Sequence, residues 1–121
     1  MYYKDFVVKA TALDGLNYFE PFYGNLDIVP DDIKPFYRDC NPVDVELGAN
    51  GVGIRLCPAD KLQELQSEYK YINALFVFAT CNGDPIFIND GCVYTCVHGT
   101  PDSQHEKKAE SFVDYLKSLV D

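Results

Sequence analysis

The 121 residues include no tryptophan, a single methionine, and only ten lysine and arginine residues against nineteen aspartate and glutamate. That shortage of positive charge leaves a formal net charge of −9 and a sequence pI near 4.5. Such a surface repels polyanions, which counts against nucleic acid and membranes as partners, and it favours docking to a basic protein. Long apolar runs are missing too: no stretch approaches the roughly 20 residues that a membrane-spanning helix needs. The opening Met1-Tyr-Tyr-Lys-Asp-Phe6 has no basic region followed by an apolar run, so no signal peptide is expected. The cysteines, at 40, 57, 81, 92 and 96, are odd in number, which argues against a disulfide framework; free thiols and a cytoplasmic location are expected. No repeat, low-complexity tract or linker-like segment divides the chain, which predicts one domain over 1–121.

What is present is a globular composition, 47% hydrophobic with nine Tyr and eight Phe. A chain of this length buries roughly two-thirds of its unfolded surface, enough for a core without staples. Tyr3, Phe6, Val7, Ala10 and Leu13 recur at helical spacing, with a strand through Phe6–Lys9 as the alternative. Residues 14–30 mix Gly, Pro and Asn with aromatics and predict an ordered but irregular connection. Asp31 and Asp32, ahead of Ile33, Phe36 and Tyr37, predict a short helix whose first amides and dipole the two carboxylates serve. Pro35 fits inside its first turn, and Asn41-Pro42 stops it.

Strict alternation through Val43-Asp-Val-Glu-Leu47, then Val52–Leu56 across Gly48-Ala-Asn-Gly51, predicts a hairpin. Val43, Val45 and Leu47 face inward, and Asp44 and Glu46 outward. A free edge at Val43–Leu47 invites pairing that the outward carboxylates discourage, so a monomer or weak dimer is expected. Pro58 opens a helix through Tyr69, with Leu62, Leu65, Tyr69 and Ile72 on its apolar face. Leu75–Thr80 is a strand, and Asn82-Gly83 and Asp90-Gly91 are tight turns, which together make a β-meander. A two-residue turn at Asp90-Gly91 sets Ile88 opposite Val93 and Phe87 opposite Tyr94. Ile86, Ile88, Val93 and Val97 then share one face, and Phe87, Tyr94, Cys92 and Cys96 the other, so both sides call for cover. Ser103 and Glu106 read as a capping box for a final helix whose stripe is Ala109, Phe112, Val113, Leu116, Leu119 and Val120. Lys107, Lys108, Asp114 and Lys117 lie outside that stripe. The sum is an α+β fold: an antiparallel-rich mixed sheet of about five to six strands around a central meander, with three to four helices packed on it.

Chemistry-bearing groups are sparse. Cys92, Cys96 and His98 share a strand face at period 2, with Cys81 near them across the meander. Residues i and i+4 of a strand lie about 13 Å apart, too far to share a zinc ion, so neither a metal nor a cofactor is expected. Cys96 and His98 are close enough in register for a thiol–imidazole pair, but no nucleophile elbow or helix N-terminus stands beside them. Gly51-Val-Gly53 lacks the third glycine of a dinucleotide fingerprint, and no phosphate-binding Walker loop occurs. Asp44, Glu46, Asp84 and Asp90 fall on strand edges and turn tips with no basic residue close in sequence. They are the candidate partner-binding residues, although turn chemistry also accounts for Asp84 and Asp90.

Three segments resemble the SUKH superfamily, which includes the Smi–Knr regulators of fungal cell-wall synthesis and many bacterial immunity proteins. Val29-Pro-Asp-Asp-Ile-Lys-Pro-Phe-Tyr37 is similar to its first helix, Phe76-Val-Phe-Ala-Thr-Cys-Asn-Gly-Asp-Pro-Ile-Phe-Ile88 to its strand-turn-strand, and Ser111-Phe-Val-Asp-Tyr-Leu116 to its closing helix. The resemblance covers about residues 26–120, in the order short helix, hairpin, helix, meander, final helix. It implies a binding domain rather than an enzyme. The leading expectation is an immunity-type protein that neutralises a cognate bacterial toxin, here a basic one, by direct docking. The alternative is a regulatory scaffold domain that binds a non-toxin protein. A thiol enzyme using Cys96 and His98 is the third reading, and it requires those side chains to meet.

Overall fold

The computed structural model describes residues 2–48, 53–70, 72, 75–98 and 104–121. Helix α1 (Tyr2–Leu13) leads into strand β1 (Tyr18–Glu20). A 3₁₀ turn at Asp31–Ile33 runs into α2 (Lys34–Cys40), then strands β2 (Asn41–Leu47) and β3 (Ile54–Leu56). A second 3₁₀ turn at Ala59–Lys61 runs into α3 (Leu62–Glu68). Strands β4 (Phe76–Cys81), β5 (Asp84–Asn89), β6 (Cys92–Thr95) and β7 (Glu106–Ala109) follow, and α4 (Phe112–Val120) closes the chain. The strands form one seven-stranded sheet in sequence order, each antiparallel to the next. The α+β class stands as expected, but the sheet is wider than five to six strands and is uniformly antiparallel, not mixed.

The meander registers as its turns dictate. Asn82 and Asp90 both have φ of 52°, followed by Gly83 at 88° and Gly91 at 82°, the backbone of type I′ turns whose twist matches the strands. Ile88 pairs with Val93 and Phe87 with Tyr94. Phe76, Phe78, Ile86 and Val93 pack on the side covered by α1, α2 and α4. There Phe36 lies edge-on to Tyr3, Tyr37 and Phe112 at centroid distances of 5.2, 5.1 and 5.2 Å, and Phe78 meets Phe112 at 5.1 Å. This phenylalanine–tyrosine cluster takes the central place that tryptophan often fills. On the other side, Leu65, Tyr69 and Ile72 cover Val77, Phe87 and Cys96. That layer is α3 and the turn after it, and it reaches only the β4–β6 half of the sheet.

Several expectations are corrected. Residues 14–30 contain β1, which pairs with Asn41–Asp44, so the expected free edge at Val43–Leu47 is covered as far as Asp44. The capping box fails: Glu106–Ala109 is a strand, and Ser103 lies outside the described residues. Ser111, extended at φ −154°, caps α4 instead, its Oγ accepting from the Asp114 amide at 3.0 Å. Ser-x-x-Glu and Ser-x-x-Asp are equivalent locally; pairing of Ala109 with Val93 and Lys107 with Tyr94 satisfies the outer edge of β6 and decides between them. Strand β6 ends at Thr95, so Val97 leaves the inward face and is 57% exposed. Leu13, at the end of α1, is likewise exposed. Asp31 and Asp32 make no side-chain cap; Asp31 pairs with Lys34 at 2.6 Å. The hairpin's expected Gly48–Gly51 connection lies mostly outside the described residues, as does Gly51 of the rejected dinucleotide pattern. Strand β3 is described over Ile54–Leu56, and Val52, the expected start of that strand, lies outside the described residues.

Three side-chain amides stand in for missing strand neighbours. Buried Asn17 donates to the Ala10 carbonyl and accepts from the Glu46 amide, both at 3.0 Å, tying the end of α1 to β2 beyond the reach of β1. Buried Asn41 accepts from the Ala59 amide at 2.8 Å, at the start of the 3₁₀ turn before α3. Gln66 of α3 brackets Val77, accepting from its N–H at 2.8 Å and donating to its carbonyl at 2.7 Å. No helix among the described residues is long and apolar enough to cross a membrane.

Candidate functional site

Alternation along β2 puts Asp44 and Glu46 on the α3 side of the sheet, opposite buried Val45 and Leu47, and both stand exposed there. Arg55, paired in register with Glu46, reaches both carboxylates, 3.1 Å from Asp44 and 3.9 Å from Glu46. The candidate carboxylates therefore do have a basic neighbour, supplied across the hairpin rather than along the chain. Tyr18 sits opposite Asp44 on β1 and donates to Glu20 at 2.8 Å, which adds a third carboxylate to the same open surface. Glu46 lies over Gly53, whose missing side chain leaves it room to lean towards Arg55. The Glu46 amide held by Asn17 anchors the backbone beneath.

Asp84 and Asp90 do not join this group. They occupy opposite ends of β5, about 20 Å apart at ~3.3 Å per residue. Asp84 Oδ1 accepts from the His98 backbone amide at 3.0 Å and meets His98 Nδ1 at 2.7 Å. The amide bond first, and the ring second, hold the Asp84 carboxyl below its ordinary value. Its role in the structure is to fasten the segment after β6 to the start of β5. Asp90 is exposed in the β5–β6 turn, where its positive φ suits the turn.

The cysteine–histidine arrangements come apart. Cys96 is buried among Leu65, Tyr69 and Phe87, whereas His98, past the end of β6, is exposed and turned to Asp84. Period 2 does not continue to residue 98, which removes the shared face. Cys81 packs against the cluster on the opposite side of the sheet, and the Cys92 thiol lies 3.9 Å from Glu110. All five cysteines are free thiols. No group of three or more His, Cys, Asp or Glu among the described residues is placed to hold a metal ion. Burial pushes the Cys57 thiol up to about 12, helped by the nearby Asp60, Glu68 and Glu64.

Sequence reasoning missed Arg55, Glu20 and Asn17. Cross-strand counting would have found Arg55 once the hairpin register was known; Glu20 and Asn17 needed β1. No protein-family model, curated protein or solved structure matches this chain.

Proposed function

We propose that this chain is a protein-binding domain of SUKH type, an immunity-type protein that docks a basic toxin domain and occludes its active site. The observation that carries this reading is the β1–β3 half of the sheet, whose face on the α3 side no helix among the described residues covers. Rigid strands there hold Asp44 and Glu46 exposed around Arg55, with Glu20 alongside. A preformed acidic surface binds with little ordering cost and speeds the approach of a cationic partner. The net charge of −9 supports the same partner chemistry. The succession of α2, the β2–β3 hairpin, α3, the β4–β6 meander and α4 supports the resemblance, with Asn82-Gly83 at a turn and Ser111 at the head of α4.

The test is capture from native lysate with the domain as bait. A basic protein retained at low salt, released at high salt, and encoded beside the gene of this domain is the expected result. Its purified form should carry an activity that the domain blocks. A bait that retains no protein at low salt, or a retained protein whose activity is untouched, would overturn the reading.

A further inference from the structure

Along the border between the open half of the sheet and α3 runs a groove of about 330 Å³, lined among others by Arg55, Cys57, Lys61, Leu65 and Thr80. Its floor is apolar: Leu65 is buried and the Cys57 thiol half-buried. Its banks are acidic. Outside the lining, Asp44 and Glu46 stand against Arg55 on the strand side, and Asp60, Glu64 and Glu68, at intervals of four, lie on the 3₁₀ turn and helix that carry Lys61 and Leu65. All three of the latter, opposed by Arg55, act electrostatically on the Cys57 thiol, which itself lines the groove. Five carboxylates thus surround a groove whose own charged lining is Arg55 and Lys61, and Arg55 is already engaged by Asp44 at 3.1 Å and Glu46 at 3.9 Å.

We propose that this groove seats a basic protein segment, which inserts one aliphatic side chain between β3–β4 and α3 and lays lysine or arginine over Asp44 and Glu46 on one bank and Glu64 on the other. The proposal rests on the protein-binding reading above and specifies the partner's chemistry. Charge complementarity selects the occupant: a neutral segment gains nothing from the banks, and an acidic one, including a second copy of this −9 chain, is repelled. An apolar pocket ringed by exposed charge is also the arrangement in which one anchor side chain carries most of the affinity and the rim sets orientation and on-rate.

The test uses a short peptide alternating leucine with lysine, and its leucine–glutamate counterpart, titrated into the isotope-labelled full chain and followed by backbone amide shifts. The lysine peptide is expected to move residues 44–46, 55–57 and 61–65, and to weaken steeply between about 0.05 and 0.5 M NaCl. The glutamate peptide should move none of them. Glu46→Lys with Glu64→Lys, both at exposed positions, should weaken binding at least about 10-fold, the equivalent of 1.4 kcal/mol. Thr80→Leu, which fills the groove without changing charge, should do the same, whereas Asp90→Lys should not. Shifts centred on Asp84 or Asp90, equal binding of both peptides, indifference to Thr80→Leu, or shifts that grow with protein concentration alone each overturn the groove assignment. A bait that still captures a basic protein in those cases leaves the broader reading standing, so the two failures are separable.

Discussion

Replacing Gln66 with alanine tests how α3 is held to the sheet. Strand β3 ends at Leu56, and the Cys57 amide makes the last bond along that edge, to the Phe78 carbonyl at 3.0 Å. Val77, one residue earlier on β4, points its N–H and carbonyl at a place where no strand continues among the described residues. Gln66 fills it, meeting both groups and also donating to the Leu62 carbonyl at 2.9 Å. Alanine would leave two backbone groups unpaired on Val77, a residue that is 1% exposed. Each buried group left so costs about 1–3 kcal/mol. Because Gln66 itself is only half-buried, water recovers part of this, and a loss of about 2–4 kcal/mol is expected. Against a typical stability of about 5–15 kcal/mol that is a large fraction, and it corresponds to a fall in Tm of about 10 °C. Urea denaturation measures the loss, and hydrogen exchange at the Val77 amide should accelerate with it. Gln66→Glu separates the two bonds: the carboxylate still accepts from the Val77 N–H but opposes its carbonyl. This variant should be destabilised at neutral pH and regain stability relative to the parent as acid protonates the new carboxyl. A loss below about 0.5 kcal/mol for Gln66→Ala, the range of ordinary surface changes, would refute the reasoning.

Ser111→Ala removes the cap of α4 and should lower stability by about 1 kcal/mol in urea denaturation; an unchanged midpoint would mean the cap contributes nothing. Asp84, with its carboxyl held below the ordinary 3.8, contributes stability that is fully present above that value and is lost as pH falls through the lower folded value. Carbon-detected NMR should show its midpoint depressed, and Asp84→Asn should flatten the acid limb of the stability profile; a midpoint at or above 3.8 would contradict the His98 bonds. Cys57, raised to about 12 by burial and neighbouring carboxylates, should resist iodoacetamide at neutral pH in the folded chain and react readily in urea. Mass spectrometry reads the difference, and equal labelling rates in the two states would overturn that placement.

Where local chemistry was sufficient, the reading from residues held. Asn82-Gly83 and Asp90-Gly91 have few alternatives to a type I′ turn, and the second of them sets the Ile88–Val93 and Phe87–Tyr94 pairs without help from the rest of the chain. The apolar period of Tyr3, Phe6 and Ala10 likewise suffices for α1, and all three are buried. What failed did so for lack of distant partners. Strand β1 has three residues and no strong alternation; it forms because Asn41–Asp44 lies beside it. Lys107 and Lys108 belong to a strand only because the edge of β6 needs bonding. The four candidate carboxylates share a residue type but not a location. The hairpin gathers Asp44 and Glu46 around Arg55, His98 claims Asp84, and Asp90 stays in its turn.

The sequence by itself determined the acidic charge, the β5–β6 register, the inward and outward faces of β2, and the apolar stripe of α4 from Phe112 onward, whereas Ala109, expected on that stripe, lies in β7. Each follows from side-chain period, turn chemistry or composition, which act over a few residues. Only the tertiary structure decided which strands lie at the edges, which amides replace absent neighbours, and which half of the sheet α3 leaves uncovered. Those outcomes depend on backbone groups that must find partners far along the chain, and on a helix of seven residues being too short to span seven strands.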